Sequence, residues 1–96
     1  MTTSELILDG RTLTTVGDFH DLFQACLHFP GYYGRNLDAL YDCLHDYAAP
    51  PLTIRWLHYD ESVRLLGDRA HGIAQTLRDA ASEINGLELI IEVPSD

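Results

Sequence analysis

Three aspartates, Asp38, Asp42 and Asp46, recur at intervals of four residues near the middle of the chain. At about 100° per residue, that interval aligns the carboxylates on one side of a helix, nearly opposite Leu40 and Leu44. Like charges four residues apart destabilise a helix by roughly a few tenths of a kcal/mol per pair. No Lys or Arg within this segment offsets them. The spacing therefore favours a surface that binds cations, although a solvated acidic face is an equally simple explanation.

Aromatic side chains surround this acidic stripe, and that combination is typical of protein interfaces. The tyrosines that bracket it are Tyr32, Tyr33, Tyr41 and Tyr47. Asp79 and Glu83 repeat the four-residue acidic spacing on a later helix, where the adjacent Arg78 offers a local ion pair instead. The later pair is thus weaker evidence for a docking surface than the first stripe.

Catalysis is a less favoured interpretation of the same residues. Two carboxylates act as acid and base only where a cleft drives their pKa values apart, and an exposed helix provides no such desolvation. His45 lies between Asp42 and Asp46 and could join them as metal ligands, but metal sites usually draw ligands from several elements. No serine has a nucleophile-elbow pattern, and no glycine cluster forms a phosphate-binding loop. The sequence therefore predicts a protein that is not an enzyme and needs no metal or cofactor.

Length and charge restrict the class of partner. Ninety-six residues at 10.8 kDa predict a single domain over residues 1–96. The six basic residues are all Arg and face fifteen Asp and Glu, so the net charge is −9. Nucleic acids and anionic membranes are polyanions that need clustered cations on the protein, which makes both poor partners. A basic protein is the natural complement.

The compartment is predicted from the N-terminal segment, the hydropathy and the cysteines. The first residues lack the basic and apolar regions of a secretory signal, and no stretch approaches the roughly 20 apolar residues of a membrane span. Cys26 and Cys43 match no zinc or redox spacing and are interpreted as reduced core residues. We therefore expect a cytoplasmic protein.

The helix that carries the stripe is predicted from its capping residue and its hydrophobic spacing. Asn36 is expected to cap this helix, and Pro50 and Pro51 are expected to end it. Before it, residues 6–8 form a short strand, and a reciprocal N-cap of Thr15 with Asp18 begins a helix over residues 16–28. Helices with one apolar side indicate packing against a shared core.

The second half of the chain alternates in the same way. Residues 52–59 are rich in β-branched and aromatic residues and predict a strand. A short helix is expected from Asp60 or Ser62, then a longer one over residues 69–84 and a last strand over residues 87–93. Because strands joined through helices cannot form hairpins, they are expected to lie parallel. The predicted fold is α/β, a three-stranded parallel sheet packed by about four helices in the order βααβααβ.

A longer segment around the stripe, PGYYGRNLDALYDCL at residues 30–44, resembles the signature of the barstar family, small intracellular inhibitors of a secreted guanyl-specific ribonuclease. Weaker similarity extends over nearly the whole chain, including the opening LDG and the final LIIEV. The resemblance implies a three-stranded parallel sheet packed by helices. It also implies that the second helix and the loop before it block the ribonuclease active site, with acidic groups in place of substrate phosphates.

The resemblance also assigns individual residues to the contact with the partner. They are Tyr32, Asp38, Tyr41, Asp42, His45, Asp46, Tyr47, Asp79 and Glu83. Asp42 would be the principal phosphate mimic. Tyr41 and Tyr47 stand where the family has Trp, Asp46 replaces a Gly, and Arg35 replaces an acid. These departures preserve the acidic character of the surface while changing the shapes it presents.

Three hypotheses follow for the function. The first is an inhibitor that binds a basic extracellular-type ribonuclease, one to one, and protects its own cytoplasm before the enzyme is exported. The alternative keeps the binding surface but directs it at a different basic toxin or cationic protein, as an immunity or adaptor protein. The third, from another class, is a small metal-dependent enzyme that uses His45 with Asp42 and Asp46.

Overall fold

The computed structural model describes residues 3–93, in which three strands and four helices follow one another in the order βααβααβ. The elements are β1 (Ser4–Asp9), α1 (Val16–Cys26), α2 (Leu37–Tyr47), β2 (Leu52–Leu57), α3 (Tyr59–Leu66), α4 (Asp68–Glu83) and β3 (Leu87–Ile91). The predicted α/β class and element order are confirmed.

The strands form one parallel sheet with β2 in the centre, flanked by β1 and β3. Alternate residues of β2, namely Leu52, Ile54 and Trp56, are buried and point to the helices. On the other face, Ile7, Arg55 and Ile90 lie in register across the three strands and stay partly exposed. The sheet therefore has one buried face and one face that is open to solvent.

Trp56 is the centre of the core. Its ring is fully buried and lies 5.1 Å from the Phe19 ring of α1 and 4.9 Å from the Tyr59 ring. Its indole Nε1 donates a 2.9 Å hydrogen bond to the hydroxyl of Ser62, which is also fully buried. Further buried side chains of α1, α2 and α4 complete this core; they are Phe23, Leu40, Leu44, Ile73 and Leu77. The site on α2 thus stands on a helix whose inner side is fixed by close packing.

Both predicted helix caps are present. The Thr15 hydroxyl accepts from the Asp18 backbone N–H, and the Asp18 carboxylate accepts from the Thr15 N–H in return. The Asp18 carboxylate also accepts a hydrogen bond from the Thr14 backbone N–H at 3.0 Å. This bond is the main reason that the pKa of Asp18 is lowered, and the bond from the Thr15 N–H lowers it further. The Asn36 side chain accepts from the N–H of Ala39 at 2.8 Å. Each cap satisfies backbone donors that the first helical turn leaves without partners.

Several boundaries differ from the prediction. Strand β2 ends at Leu57, because His58 takes a left-handed conformation with φ 54° and so leaves the extended conformation of a strand. Helix α3 consequently begins at Tyr59 without a side-chain cap, earlier than the predicted Asp60 or Ser62. Helix α1 ends at Cys26 and β3 ends at Ile91, each two residues before the predicted end.

The prediction that both cysteines are core residues is wrong for Cys26. Both thiols are free, but only Cys43 is buried, while Cys26 is exposed. Cys26 has the same helical spacing as the buried residues Phe19 and Phe23 of α1, but it is the last residue of that helix. Leu27 and Phe29, which follow it, take over the core contacts and are 8% and 5% exposed. Burial raises the pKa of the Cys43 thiol, and the nearby Asp46 raises it further.

A buried polar pair connects α1 to the loop before α2. His20 is 3% exposed, and its Nδ1 lies 2.5 Å from the hydroxyl of Tyr33. Burial lowers the pKa of His20, and Arg35 lowers it further, so the imidazole is neutral. Burial also raises the pKa of Tyr33, which keeps its hydroxyl protonated.

We expect this histidine to make folding sensitive to acid. A histidine whose pKa is lowered on folding binds a proton more readily in the unfolded chain, so stability is complete above the unfolded pKa of about 6.5 and falls as the pH drops below it. Urea denaturation of the wild type between pH 7 and 5 measures this loss, and His20→Gln should show a shallower decline. Equal declines in the two proteins would contradict this assignment.

Candidate functional site

The acidic ridge consists of Asp38, Asp42 and Asp46, which lie along the outer side of α2 and are all exposed. On the inner side of the same helix, Leu40 and Leu44 are fully buried. Helix α2 therefore has one exposed acidic side and one buried apolar side, as the sequence spacing predicts.

The arginines of the protein leave this ridge unneutralised. Four of them form ion pairs elsewhere, at 2.6 to 3.3 Å from their carboxylates. The pairs are Arg11 with Asp9, Arg35 with Asp21, Arg55 with Glu5 and Glu92, and Arg64 with Glu61. Within residues 3–93, no salt bridge involves a ridge carboxylate. The negative field of the ridge thus remains available to an external cation.

Tyrosines border the ridge on the side of the preceding loop. Tyr32 is 81% exposed, and its hydroxyl lies 3.3 Å from the hydroxyl of Tyr47, near the end of α2. Both tyrosines line an open cavity of about 280 Å³, and Asp42 and Asp46 line it as well. The cavity combines aromatic walls with carboxylates at its edge, which suits a cationic side chain of a partner.

Four residues of this cavity were not among the predicted site residues, namely Tyr33, Gly34, Ala39 and Cys43. Two of them, Gly34 and Ala39, are small. Gly34 belongs to the loop before α2, and Ala39 to the first turn of that helix. A Cβ added at Gly34 would lie 3.2 Å from the Asn36 Nδ2 and 3.3 Å from the Ala39 Cβ, a tight contact that favours small residues at both positions. The sequence signal that could have found them is a small residue placed directly beside the aromatic and acidic ones.

A polar bridge between α2 and α4 lies beside the ridge. Glu83 of α4 accepts a hydrogen bond from the hydroxyl of Tyr41, and His45 Nε2 lies 3.0 Å from the same carboxylate oxygen. His45 Nδ1 lies 2.9 Å from the carbonyl oxygen of Tyr41. Both ring nitrogens face acceptors, so the bond to Tyr41 raises the pKa of His45, and Glu83 raises it further. Glu83 also raises the pKa of Tyr41, because the phenol donates to it.

Asp79, one turn before Glu83, behaves differently from the expected local ion pair. Its carboxylate accepts from Gln75 Nε2 at 2.8 Å, while Arg78 lines a shallow groove with Leu89 and Ile91. Asp79 therefore bonds within its own helix, whereas Glu83 contacts α2. Arg78 belongs to another surface.

The ligand set of the metal hypothesis does not assemble. His45 turns to Tyr41 and Glu83 instead of to Asp42 and Asp46, and residues 3–93 contain no group of three or more His, Cys, Asp or Glu side chains placed to hold a metal ion. Among the helices of the described chain, none is both long enough and apolar enough to cross a bilayer.

The fold defines a small α/β protein whose parallel sheet is covered by helices on one face. Its sequence matches the profile of the family described as Barstar (barnase inhibitor) over residues 3–93. A protein of Bacillus subtilis (strain 168) named "Putative ribonuclease inhibitor YrdF" is 37% identical over 89 residues, which cover 92% of this chain and 98% of that protein. The chain therefore belongs to the barstar family. It is a ribonuclease inhibitor of that family and not an enzyme.

Proposed function

We propose that this protein inhibits a barnase-like ribonuclease by placing the acidic ridge and the Tyr32 loop over its active site. The observation that carries the proposal is the ridge itself, three exposed carboxylates on a rigid helix with no arginine of the described chain paired to them. A ribonuclease active site is lined by cations that bind RNA phosphates. Carboxylates can form the same charge-assisted hydrogen bonds with those cations.

Each predicted contact residue has a place in this arrangement. Asp42 lies at the middle of the ridge and at the edge of the aromatic cavity, so we assign it the main phosphate-mimicking role. Tyr32 and Tyr47 supply apolar contact area, and the bridge of Tyr41 and His45 holds Glu83 beside the ridge. Asp38, Asp46 and Asp79 extend the negative field, which accelerates encounter with a basic partner.

The proposed place of action is the interior of the producing cell, before the ribonuclease is exported. The two free cysteines agree with a reducing compartment, and one of them is exposed to oxidants.

The partner is a basic protein, bound one to one. Titration of the purified protein into a panel of barnase-like ribonucleases, including those of its own host, tests the proposal through RNA cleavage. Full activity of every enzyme in the panel at saturating protein would refute it.

The His45 bridge predicts a pH-dependent affinity for the ribonuclease. A protonated His45 places a positive charge among Asp42, Glu83 and the Tyr41 hydroxyl, where it opposes the approach of a cationic partner. Because its folded-state pKa is raised above the ordinary value of about 6.5, this charge persists to a higher pH than in an unperturbed histidine and disappears as the pH rises through the raised pKa. We expect the wild-type affinity to increase with pH between about 6 and 8.

The matched variant for this measurement is His45→Thr, which removes the titrating group and keeps a hydrogen-bonding side chain. Both proteins are titrated against the same ribonuclease, so protonation of the enzyme contributes equally to the two curves. The ratio of the two dissociation constants should change with pH. A constant ratio would show that His45 does not titrate at the interface.

A further inference from the structure

The Tyr32 loop, residues 30–36, runs back along helix α1 before it enters α2. Side chains join the loop to α1 at its beginning, middle and end, and the later loop residues contact earlier turns of the helix. The contacts are Pro30 with Gln24, Tyr33 with His20, and Arg35 with Asp21 and Gly17.

The α1 residues that meet the loop lie on one side of that helix. They are Gly17, His20, Asp21 and Gln24, which recur at intervals of three and four residues. Phe19 and Phe23, on another side of α1, are fully buried in the core. Helix α1 therefore packs on the core with one side and holds the loop with a second.

Gln24 fixes the backbone where the loop begins. Its side-chain Nε2 donates a 3.0 Å hydrogen bond to the carbonyl oxygen of Pro30, and its own carbonyl oxygen accepts from the N–H of Phe29 at 3.1 Å. The Pro30 carbonyl oxygen also accepts from the N–H of Tyr33 at 3.0 Å, which closes the first turn of the loop. One glutamine thus bonds to two consecutive residues of the chain that leads into the loop.

Arg35 is held where the loop ends. Its backbone has a φ of 56°, a left-handed conformation that a residue other than glycine keeps only when the surrounding structure holds it there. Its guanidinium donates to the Asp21 carboxylate at 2.6 Å and to the Gly17 carbonyl oxygen at 3.2 Å. These two bonds attach the end of the loop to the first half of α1.

The middle of the loop contains two tyrosines with opposite environments. Tyr33 is buried, with its hydroxyl against His20 Nδ1 and its ring 4.9 Å from the ring of Phe29. Tyr32 is exposed, and its hydroxyl lies beside that of Tyr47 at the cavity of the ridge. Because the exposed ring has little packing of its own, the position of Tyr32 depends on the backbone that α1 holds.

We propose that His20, Asp21 and Gln24 are positioning residues, which hold the Tyr32 loop in its binding conformation in the free protein. This inference rests on the proposed function. A loop that is already ordered loses less conformational entropy on binding, so the affinity rises without any added contact. None of the three residues lines the cavity at the ridge, and their effect on the ribonuclease passes through Tyr32.

Nuclear magnetic resonance relaxation of the free protein tests the positioning without a ribonuclease. The double variant Asp21→Ala, Gln24→Met removes the bonds at both ends of the loop and keeps the side-chain length at position 24. Backbone order parameters of residues 31–35 should be about 0.85 in the wild type, as in rigid backbone, and should fall toward about 0.6 in the double variant. Equal order parameters in the two proteins would overturn the proposal.

Inhibition constants of the same two proteins measure the consequence for binding. The double variant should bind the ribonuclease about threefold to tenfold more weakly, because its loop must be ordered on binding. In a Tyr32→Ala background, the same two substitutions should change the affinity by less than about twofold, since no ring remains to be positioned. A loss of equal size in both backgrounds would also overturn the proposal.

Two matched variants control for charge and for the loss of a hydrogen bond. Asp21→Asn has the same net charge as Asp21→Ala but keeps an oxygen that accepts from Arg35, so it should bind more tightly than Asp21→Ala. Equal affinities would show that Asp21 acts through its charge alone and would overturn its positioning role. Thr76→Val removes a 3.0 Å bond from a half-buried side chain to the Gly72 carbonyl oxygen in α4, and it should bind as the wild type does.

Failure of this proposal differs from failure of the proposed function. If the wild type inhibits no ribonuclease of the panel, the proposed function fails, and the order parameters of the free protein still decide whether α1 holds the loop. If the wild type inhibits and the double variant inhibits equally well, the positioning role fails and the proposed function stands.

Discussion

Replacement of Asp42 by Ala should weaken binding to the cognate ribonuclease by about 2–5 kcal/mol, which corresponds to a loss of roughly thirtyfold to several thousandfold in affinity. That range describes truncation of one member of a buried, hydrogen-bonded charge pair, and the barnase–barstar pair itself is among the systems that define it. The physical reason is that the ribonuclease cations, desolvated in the complex, lose the carboxylate that compensates them. Inhibition constants measured at fixed ionic strength provide the test.

Two controls separate the role of Asp42 from net charge and from folding. Asp60→Ala removes the same charge from an exposed position on α3 and should change affinity little. The Asp42 side chain is exposed and makes no hydrogen bond within residues 3–93, so Asp42→Ala should keep the unfolding free energy of the wild type. If Asp60→Ala and Asp42→Ala weaken inhibition equally, the ridge acts only through net charge and the proposed phosphate mimicry fails.

A large loss of stability is expected for Gly10→Ala. Gly10 is buried where β1, β2 and α3 meet, and its N–H donates to the Leu57 carbonyl oxygen at 2.9 Å. An added Cβ would lie 2.2 Å from the His58 carbonyl oxygen and 2.7 Å from the Ser62 hydroxyl. Backbone must move to relieve such a contact, so the unfolding free energy should fall by about 3 kcal/mol or more. Urea denaturation at neutral pH measures this change.

Gly31→Ala is the matched substitution for that experiment. A Cβ at Gly31 meets no atom within 4 Å, and the residue is exposed in the loop before α2. Its unfolding free energy should stay within about 0.5 kcal/mol of the wild type. Were Gly10→Ala equally mild, the close approach of β1 to the start of α3 would be incorrect.

The order and type of the elements could be predicted because local signals and tertiary packing agree in this chain. Thr15 with Asp18 and the Asn36 side chain mark helix starts through bonds that form within four residues. The start of α3 could not be found in this way, because His58 begins it by a left-handed backbone conformation and not by a side-chain cap. Cys26 was misplaced because helical spacing gives the side of a residue but not where the core ends.

The placement of the acidic ridge could likewise be predicted, since a spacing of four residues determines one side of a helix. Its contacts with the rest of the fold could not. Glu83 meets Tyr41 and His45 only because α4 packs beside α2, and Tyr33 meets His20 across thirteen residues.

Under the proposed function, the division of α2 into a buried and an exposed side has a consequence for how such inhibitors diversify. Substitutions at Asp38, Asp42 or Asp46 leave Leu40 and Leu44 untouched, so mutations that retarget the surface incur little penalty in folding. Natural selection can therefore act on recognition and on scaffold integrity at separate positions. Lineages that inherit this scaffold can adapt to a changing enzyme through single amino-acid replacements on one helix.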